Sequence, residues 1–155
     1  MARVLATDGL DPDCVEILKG KGHHVDILHF ERSELLEGSI SGYDAVIIRS
    51  ATKIDSDVLE ANVSQDSRIR LIVRAGVGLD NIDLKKASEL GVMVKNTPTA
   101  STKAVVEFTI GHLLSGVRNI SKADRAMRSS KWEKKSSSGT ELDGKNLGLL
   151  GYGRI

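Results

Sequence analysis

Cysteine is almost absent from this chain of 155 residues: Cys14 is the only one. One thiol excludes an internal disulfide and any zinc site built on cysteines, and it fits a reducing compartment. Its place in the opening turns of a helix-like segment predicts a small packed side chain. Aromatic residues are scarce as well, at 3%, so the core must be mostly Val, Ile, Leu and Ala. No charge of one sign dominates: 22 basic and 21 acidic residues are mixed along the chain for a net +1. That balance leaves no electrostatic footprint for nucleic acid or membrane. No stretch approaches the roughly 18 apolar residues of a membrane span, and "MARVLATDGL" lacks the apolar run of a signal peptide. The expectation is a soluble, cytoplasmic protein without internal repeats.

From residue 3 to residue 94, short aliphatic runs alternate with helix-like segments. This is the pattern of a parallel sheet with helices on its faces. "RVLAT" reads as a strand, followed by a helix with Asp11 as N-cap, Pro12 at its first position and Gly20 or Gly22 as its stop. "HVDILHF" is a second strand and "SELLEGSI" a short helix. "DAVIIRS", nearly unbroken in its apolar run, predicts a third strand buried on both faces. A helix capped by Asp55, the strand "IRLIVRAGVG", a helix closed by Gly91 and the strand "GVMVKN" complete a doubly wound α/β unit over residues 1–97.

Residues 98–155 follow another pattern. Val106, Ile110, Leu113, Val117 and Ile120 recur at helical spacing, predicting one long helix over 101–129. Val105, Phe108 and Leu114 lie off that stripe, so the helix needs cover on more than one side. A polar loop leads to "KNLGLLG", a sixth strand, and to "GYGRI". In a βαβ unit, glycines such as Gly151 and Gly153 make the tight turn after the strand and let backbone approach a pyrophosphate.

Two strand ends carry arginine: Arg49 in "RSATK" and Arg74 in "RAGVGLDNID". Ligands of open parallel sheets gather at the carboxyl ends of strands, so the pair reads either as anion recognition or as solvated charge. Gly76 and Gly78 would leave backbone N–H groups free to face a carboxylate. A receiver-type signalling domain requires an acidic phosphoacceptor after the third strand, where this chain has Arg49 and Ser50. A flavin-binding domain requires a Ser/Thr-rich loop after the first strand, where "TDGLDPD" presents three acids. His23, His24, His29 and His112 show no metal-ligand spacing and read as structural. Glu107 reads as a buried partner for a backbone or Arg group.

"RSATK", "RAGVGLDNIDL", "GVMVKNTP", "VVEFTIGHLL", "KWEKK" and "GTELDGKNLGLLGYGRI" stand in the order and spacing of the D-isomer-specific 2-hydroxyacid dehydrogenases. This resemblance covers essentially the whole chain. It implies two Rossmann-like domains with a cleft between them. Residues 1–97 match the flavodoxin-like substrate-binding domain, which a returning C-terminal helix completes. Residues 98–155 match the linking helix and first strand of the nucleotide-binding domain, so the resemblance implies an N-terminal part of a longer enzyme. The implied activity is NAD-dependent oxidation of a phosphorylated 2-hydroxy acid. Alternatives are reduction of glyoxylate or hydroxypyruvate, and a non-catalytic corepressor module of the same fold.

Carried onto this chain, the resemblance has Arg49 and Ser50 contact the phosphorylated end of the substrate, with Arg74 adding charge. The backbone of Ala75 and Gly76 would hold the carboxylate. Val77 and Thr102 would lie against the cofactor, and Gly151, Gly153, Arg154 and Ile155 would form the pyrophosphate turn. Lys134 stands where relatives often have an Arg that reaches the partner subunit's substrate; a Lys keeps the charge and loses the bidentate fork. "NTPTAST" departs from the Asn- and Gly-containing loop of close relatives. The family's base is a His oriented by a Glu, with an Arg clamping the carboxylate. None of these three matches a position here, which implies no turnover by these residues alone. The 101–129 helix is implied to form a homo-oligomer interface.

Overall fold

The computed structural model describes residues 1–155, which divide into two units, Met1–Pro98 and Thr99–Ile155. In the first unit, strands and helices alternate as β1 (Arg3–Ala6), α1 (Pro12–Gly20), β2 (His24–Ile27), α2 (Arg32–Leu36), β3 (Ala45–Ile48), α3 (Ser56–Asn62), β4 (Leu71–Arg74), α4 (Leu84–Glu89) and β5 (Met93–Asn96). The strands lie in the order β2-β1-β3-β4-β5, all parallel. Acidic residues start three of the helices by accepting backbone N–H groups that would otherwise lack partners. Asp11 accepts from Asp13 N at 3.0 Å, Asp55 from Val58 N at 3.3 Å and Asp83 from Lys86 N at 2.9 Å.

The chain steps from β1 outward to β2, then back past β1 to β3 and onward. Right-handed crossovers therefore put α1 on one face of the sheet and α2, α3 and α4 on the other. The register aligns Leu5 with Val46 and Val46 with Ile72, so all three share one face. Together with Ile48, Val58, Leu59 and Ala87 they are at most 2% exposed. Each large side chain sealed in this way stabilises the fold by about 1.5–3 kcal/mol. Asn62 joins this layer as a buried polar tie, donating to Leu35 O at 2.6 Å and accepting from Ile40 N at 3.0 Å.

The expectation that β3 is buried on both faces holds for one face only. Val46 and Ile48 are sealed, while Ala45 and Ile47 on the reverse are half-buried, because a single helix serves that side. Cys14, expected to be packed, is exposed on α1.

The second unit departs further from its sequence pattern. The long helix is two: α5 (Thr102–Arg118) and α6 (Ile120–Arg128). Asn119 sits between them at φ 56°, ψ 31°, a left-handed conformation that Asn tolerates better than most residues. Apolar spacing continues from Val117 to Ile120 across the break, so periodicity alone cannot register it. Residues 138–140 fold back on the end of α5. Thr140 N donates to Val117 O at 2.7 Å and Asn119 Nδ2 to Ser138 O at 2.8 Å. A β-carbon at Gly139 would fall 2.4 Å from Val117 O, so only glycine fits there.

The expected sixth strand is irregular chain without a ladder. Leu147 is 62% exposed and Leu149 67%, and no strand of this unit lies beside them to accept pairing. Glu107, expected to be buried, is exposed on α5. No helix is long and apolar enough to cross a membrane.

Candidate functional site

The strand order reverses between β1 and β3, and at such a point the loops leaving adjacent strands diverge to form a crevice. The loop after β3 holds Arg49, Ser50 and Ala51, all exposed, ahead of buried Thr52. Asp8, two residues past β1, anchors it. Asp8 Oδ2 accepts from Arg49 N at 2.7 Å and Thr52 N at 3.1 Å, and Oδ1 accepts from Thr52 Oγ1 at 2.6 Å. The Thr52 hydroxyl also lies 2.7 Å from that of Thr7. Partial burial pushes the Asp8 carboxyl upward, but the bonds from Thr52 and from the Arg49 backbone outweigh it and hold it below the usual carboxylate range. Asp8 is therefore ionised at neutral pH, with its charge satisfied inside the loop.

Asn81 grips the same loop from its carbonyl side. Its Nδ2 donates to Arg49 O at 2.7 Å and to Thr52 O at 2.8 Å, while Asn81 O accepts from Ile54 N at 2.8 Å. With the outer residues so fixed, the N–H groups of Ser50 and Ala51 and the Ser50 hydroxyl make no hydrogen bond within the chain. Together they form a donor set suited to an anion. Beside it, Phe30, Arg32, Leu35, Thr52 and Lys53 line a cavity of about 270 Å³. Arg32 there is paired with Asp55 at 2.6 Å.

β4 pairs Arg74 with Ile48, which puts the two arginine-bearing loops side by side. Ion pairs engage Arg3, Arg32, Arg68, Lys85, Lys86 and Arg128, and neither Arg49 nor Arg74. Arg74 folds across Gly76, where a β-carbon would fall 1.7 Å from Arg74 Nη1. Its Nε is buried without a partner, which leaves a costly donor for an acceptor to satisfy.

The backbone donors at this loop differ from those expected. Ala75 N donates to Ile48 O and Gly76 N to Arg74 O, both at 2.8 Å. The β3–β4 ladder runs one residue past the strand, and a tight turn follows it. The unpaired N–H groups are those of Val77 and Gly78. Asn96 Nδ2 steadies this turn by donating to Val77 O at 2.6 Å, and Thr97 N donates to Gly76 O at 3.0 Å.

Arg49, Ser50, Arg74, Ala75, Gly76 and Val77 thus gather at one edge of the first unit. The other expected residues belong to the second. Thr102 opens α5, Lys134 is exposed on the turn beyond α6, and Arg154 and Ile155 are exposed. Gly151 has φ 92°, the left-handed conformation a glycine turn requires, and nothing lies within 4 Å of a β-carbon built on Gly153. An open glycine turn of this kind fits a dinucleotide's phosphates.

Asp8, Thr52 and Asn81 were not singled out from the sequence. Read as free charge, the acids of "TDGLDPD" repel phosphate, yet one of them is the loop's anchor. The available signal was an acid two residues beyond a strand at the point where the strand order reverses.

Residues 4–147 match the family model of the D-isomer specific 2-hydroxyacid dehydrogenase catalytic domain. A hydroxypyruvate reductase of Thermotoga maritima is 42% identical over 154 residues, 99% of this chain and 49% of that protein. D-3-phosphoglycerate dehydrogenase of Sus scrofa is 41% identical over 155 residues, 100% of this chain and 28% of that protein. Among solved structures, an NAD⁺-bound 3-phosphoglycerate dehydrogenase of Entamoeba histolytica superposes with a TM-score of 0.64 at 29% identity, covering 76% of this chain and 39% of that one. The chain spans about half or less of the length of these relatives.

Proposed function

Because the chain belongs to the D-isomer-specific 2-hydroxyacid dehydrogenase family, we propose that it supplies the substrate-recognition part of an NAD-dependent D-3-phosphoglycerate dehydrogenase. The proposed reaction oxidises 3-phospho-D-glycerate to 3-phosphohydroxypyruvate, the step that leads toward serine. The observation that carries this reading is the pair of unpaired arginines, Arg49 and Arg74, at the ends of adjacent parallel strands. An unphosphorylated acid with one carboxylate needs fewer cations than a substrate with phosphate at one end and carboxylate at the other.

In this reading Arg49, Ser50 and the free N–H groups of residues 50 and 51 take the phosphate. Arg74 and the N–H groups of Val77 and Gly78 take the carboxylate end, with Ala75 and Gly76 shaping the turn. NAD, held by Thr102, Gly151, Gly153, Arg154 and Ile155, supplies the hydride acceptor. The base for the substrate hydroxyl is not assigned to Asp8, whose oxygens are engaged by backbone and hydroxyl donors. We assign no catalytic base to these residues and expect no turnover from them alone. Lys134 and the surface of α5 are proposed to face a second subunit in a cytoplasmic homo-oligomer.

The test compares 3-phospho-D-glycerate with D-glycerate. Arg49→Ala should weaken binding of the phosphorylated acid on the order of tenfold or more, through loss of charge-assisted hydrogen bonds, and leave D-glycerate little changed. Equal losses for both acids would contradict the role given to Arg49.

Reduction of hydroxypyruvate is the second reading, favoured by the Thermotoga relative at 42% identity. It requires the protein to prefer the unphosphorylated acid, so the same pair of titrations decides between the two.

A further inference from the structure

We infer that Asp8 and Asn81 are positioning residues for substrate recognition, gripping the Arg49–Thr52 loop from opposite sides so that its middle donors stay available to an anion. The inference rests on the proposed phosphorylated substrate and assigns how its site is kept in shape.

The loop's backbone groups divide into those that are held and those that are free. Of its four N–H groups, those of Arg49 and Thr52 both donate to Asp8 Oδ2. Of its carbonyls, those of Arg49 and Thr52 both accept from Asn81 Nδ2. The same two residues are held on both polarities, and Ser50 and Ala51 between them are held on neither. A four-residue loop pinned at its ends in this way cannot turn its central N–H groups inward to find partners.

The chemistry at each point suits the task. An ionised carboxylate offers lone pairs to several donors at once and presents no competing N–H, and a side-chain amide nitrogen carries two N–H groups, one for each of two carbonyls. The Thr52 hydroxyl completes the grip, because it bridges Asp8 at 2.6 Å and Thr7 at 2.7 Å. Asp8 contributes negative charge close to an anion site, a cost to binding that its three donors offset by dispersing the charge. Both Asp8 oxygens and Asn81 Nδ2 are engaged by the loop, so both residues act through it.

The test measures two things on the same samples of the chain: the dissociation constant for 3-phospho-D-glycerate by NMR titration, and amide hydrogen exchange at Arg49 and Thr52. Asp8→Ala removes the acceptor of both backbone N–H groups, and Asn81→Asp sets a carboxylate against two carbonyls. Each should raise the dissociation constant about tenfold and speed exchange at Thr52, as expected when a charge-assisted or buried bond is removed or replaced by a mismatch. Thr52→Val should behave like them, whereas Thr52→Ser, which keeps the hydroxyl, should stay within about threefold of wild type. A merely structural role would let Thr52→Val speed exchange at residue 52 while the dissociation constant stays at its wild-type value.

Faster exchange at Thr52 with an unchanged dissociation constant overturns the positioning role and leaves the proposed function standing. A wild-type chain that binds neither 3-phospho-D-glycerate nor D-glycerate, while its Thr52 amide is protected, overturns the proposed function and the positioning role with it.

Discussion

A single β-carbon at Gly76 tests how Arg74 is held. Gly76 does not have a left-handed φ, so alanine is conformationally allowed there. The obstacle is the Arg74 guanidinium, 1.7 Å from the added carbon at Nη1. Because that guanidinium is the far end of a flexible side chain, it moves and the backbone stays. Gly76→Ala should therefore leave the denaturant midpoint almost unchanged, within about 0.5 kcal/mol. Binding of 3-phospho-D-glycerate should nevertheless fall several-fold, roughly as for a displaced charged donor. Stability and binding lost together would place Arg74 in the core rather than the site. Asp8 offers a second test at the same scale, through acid. Its carboxyl is held below its ordinary value, so its stabilising contribution is complete above the unfolded pKa of about 3.9 and fades as pH falls through the folded value. Asp26, Asp44 and Asp55 are depressed too, so the wild-type profile alone cannot isolate one group. The difference in unfolding free energy between wild type and Asp8→Asn should be constant above about pH 4 and shrink below it.

At the scale of elements, what was legible depended on whether structure repeats along the chain. The five strands of the first unit were readable because each is a short aliphatic run bounded by acidic caps or glycines, and Asp11, Pro12 and Asp55 mark helix starts directly in the sequence. The break at Asn119 was not readable, because one residue in a left-handed conformation leaves the apolar period on either side intact. The sixth strand was over-read for a related reason: apolar residues favour a strand, but only a neighbour makes one. Asn119 can be tested by inverting the helix scale. In a continuous helix, valine at 119 would be tolerated better than glycine. In the observed turn, Asn119→Gly relieves the backbone and forfeits the bond to Ser138, for a net effect within about 1 kcal/mol. Asn119→Val loses the bond and adds left-handed strain, costing about 2–3 kcal/mol. Thermal unfolding followed by circular dichroism checks the order, and valine matching glycine would argue for an unbroken helix.

For the whole molecule, the sequence made the site's cations legible and left its scaffold hidden. Arg49 and Arg74 stand out because charge at the end of an apolar run is conspicuous in one dimension. Asp8, Thr52 and Asn81 lie 73 positions apart at their extremes, and only the β2-β1-β3-β4-β5 order brings them together. Parallel sheets pair strands that are distant in sequence, so the contacts that shape a strand-end site are invisible until the winding is known. The proposed association of subunits is also a property at this scale. In the second unit, Phe108 is 68% exposed with its ring edge-on to His112 at 4.2 Å, and Leu114 is 40% exposed. An exposed aromatic and an exposed aliphatic residue on one helix are the composition of an interface core. Sedimentation equilibrium should find the chain heavier than a monomer at micromolar concentration. Phe108→Asp with Leu114→Asp should weaken that association at least about tenfold, as removal of central apolar anchors does. The paired substitution should leave the first unit's unfolding transition in place, because neither residue belongs to that core. A wild-type chain that sediments as a monomer at every concentration would remove α5 as the proposed contact, while the substrate readings at Arg49 and Arg74 would stand unchanged.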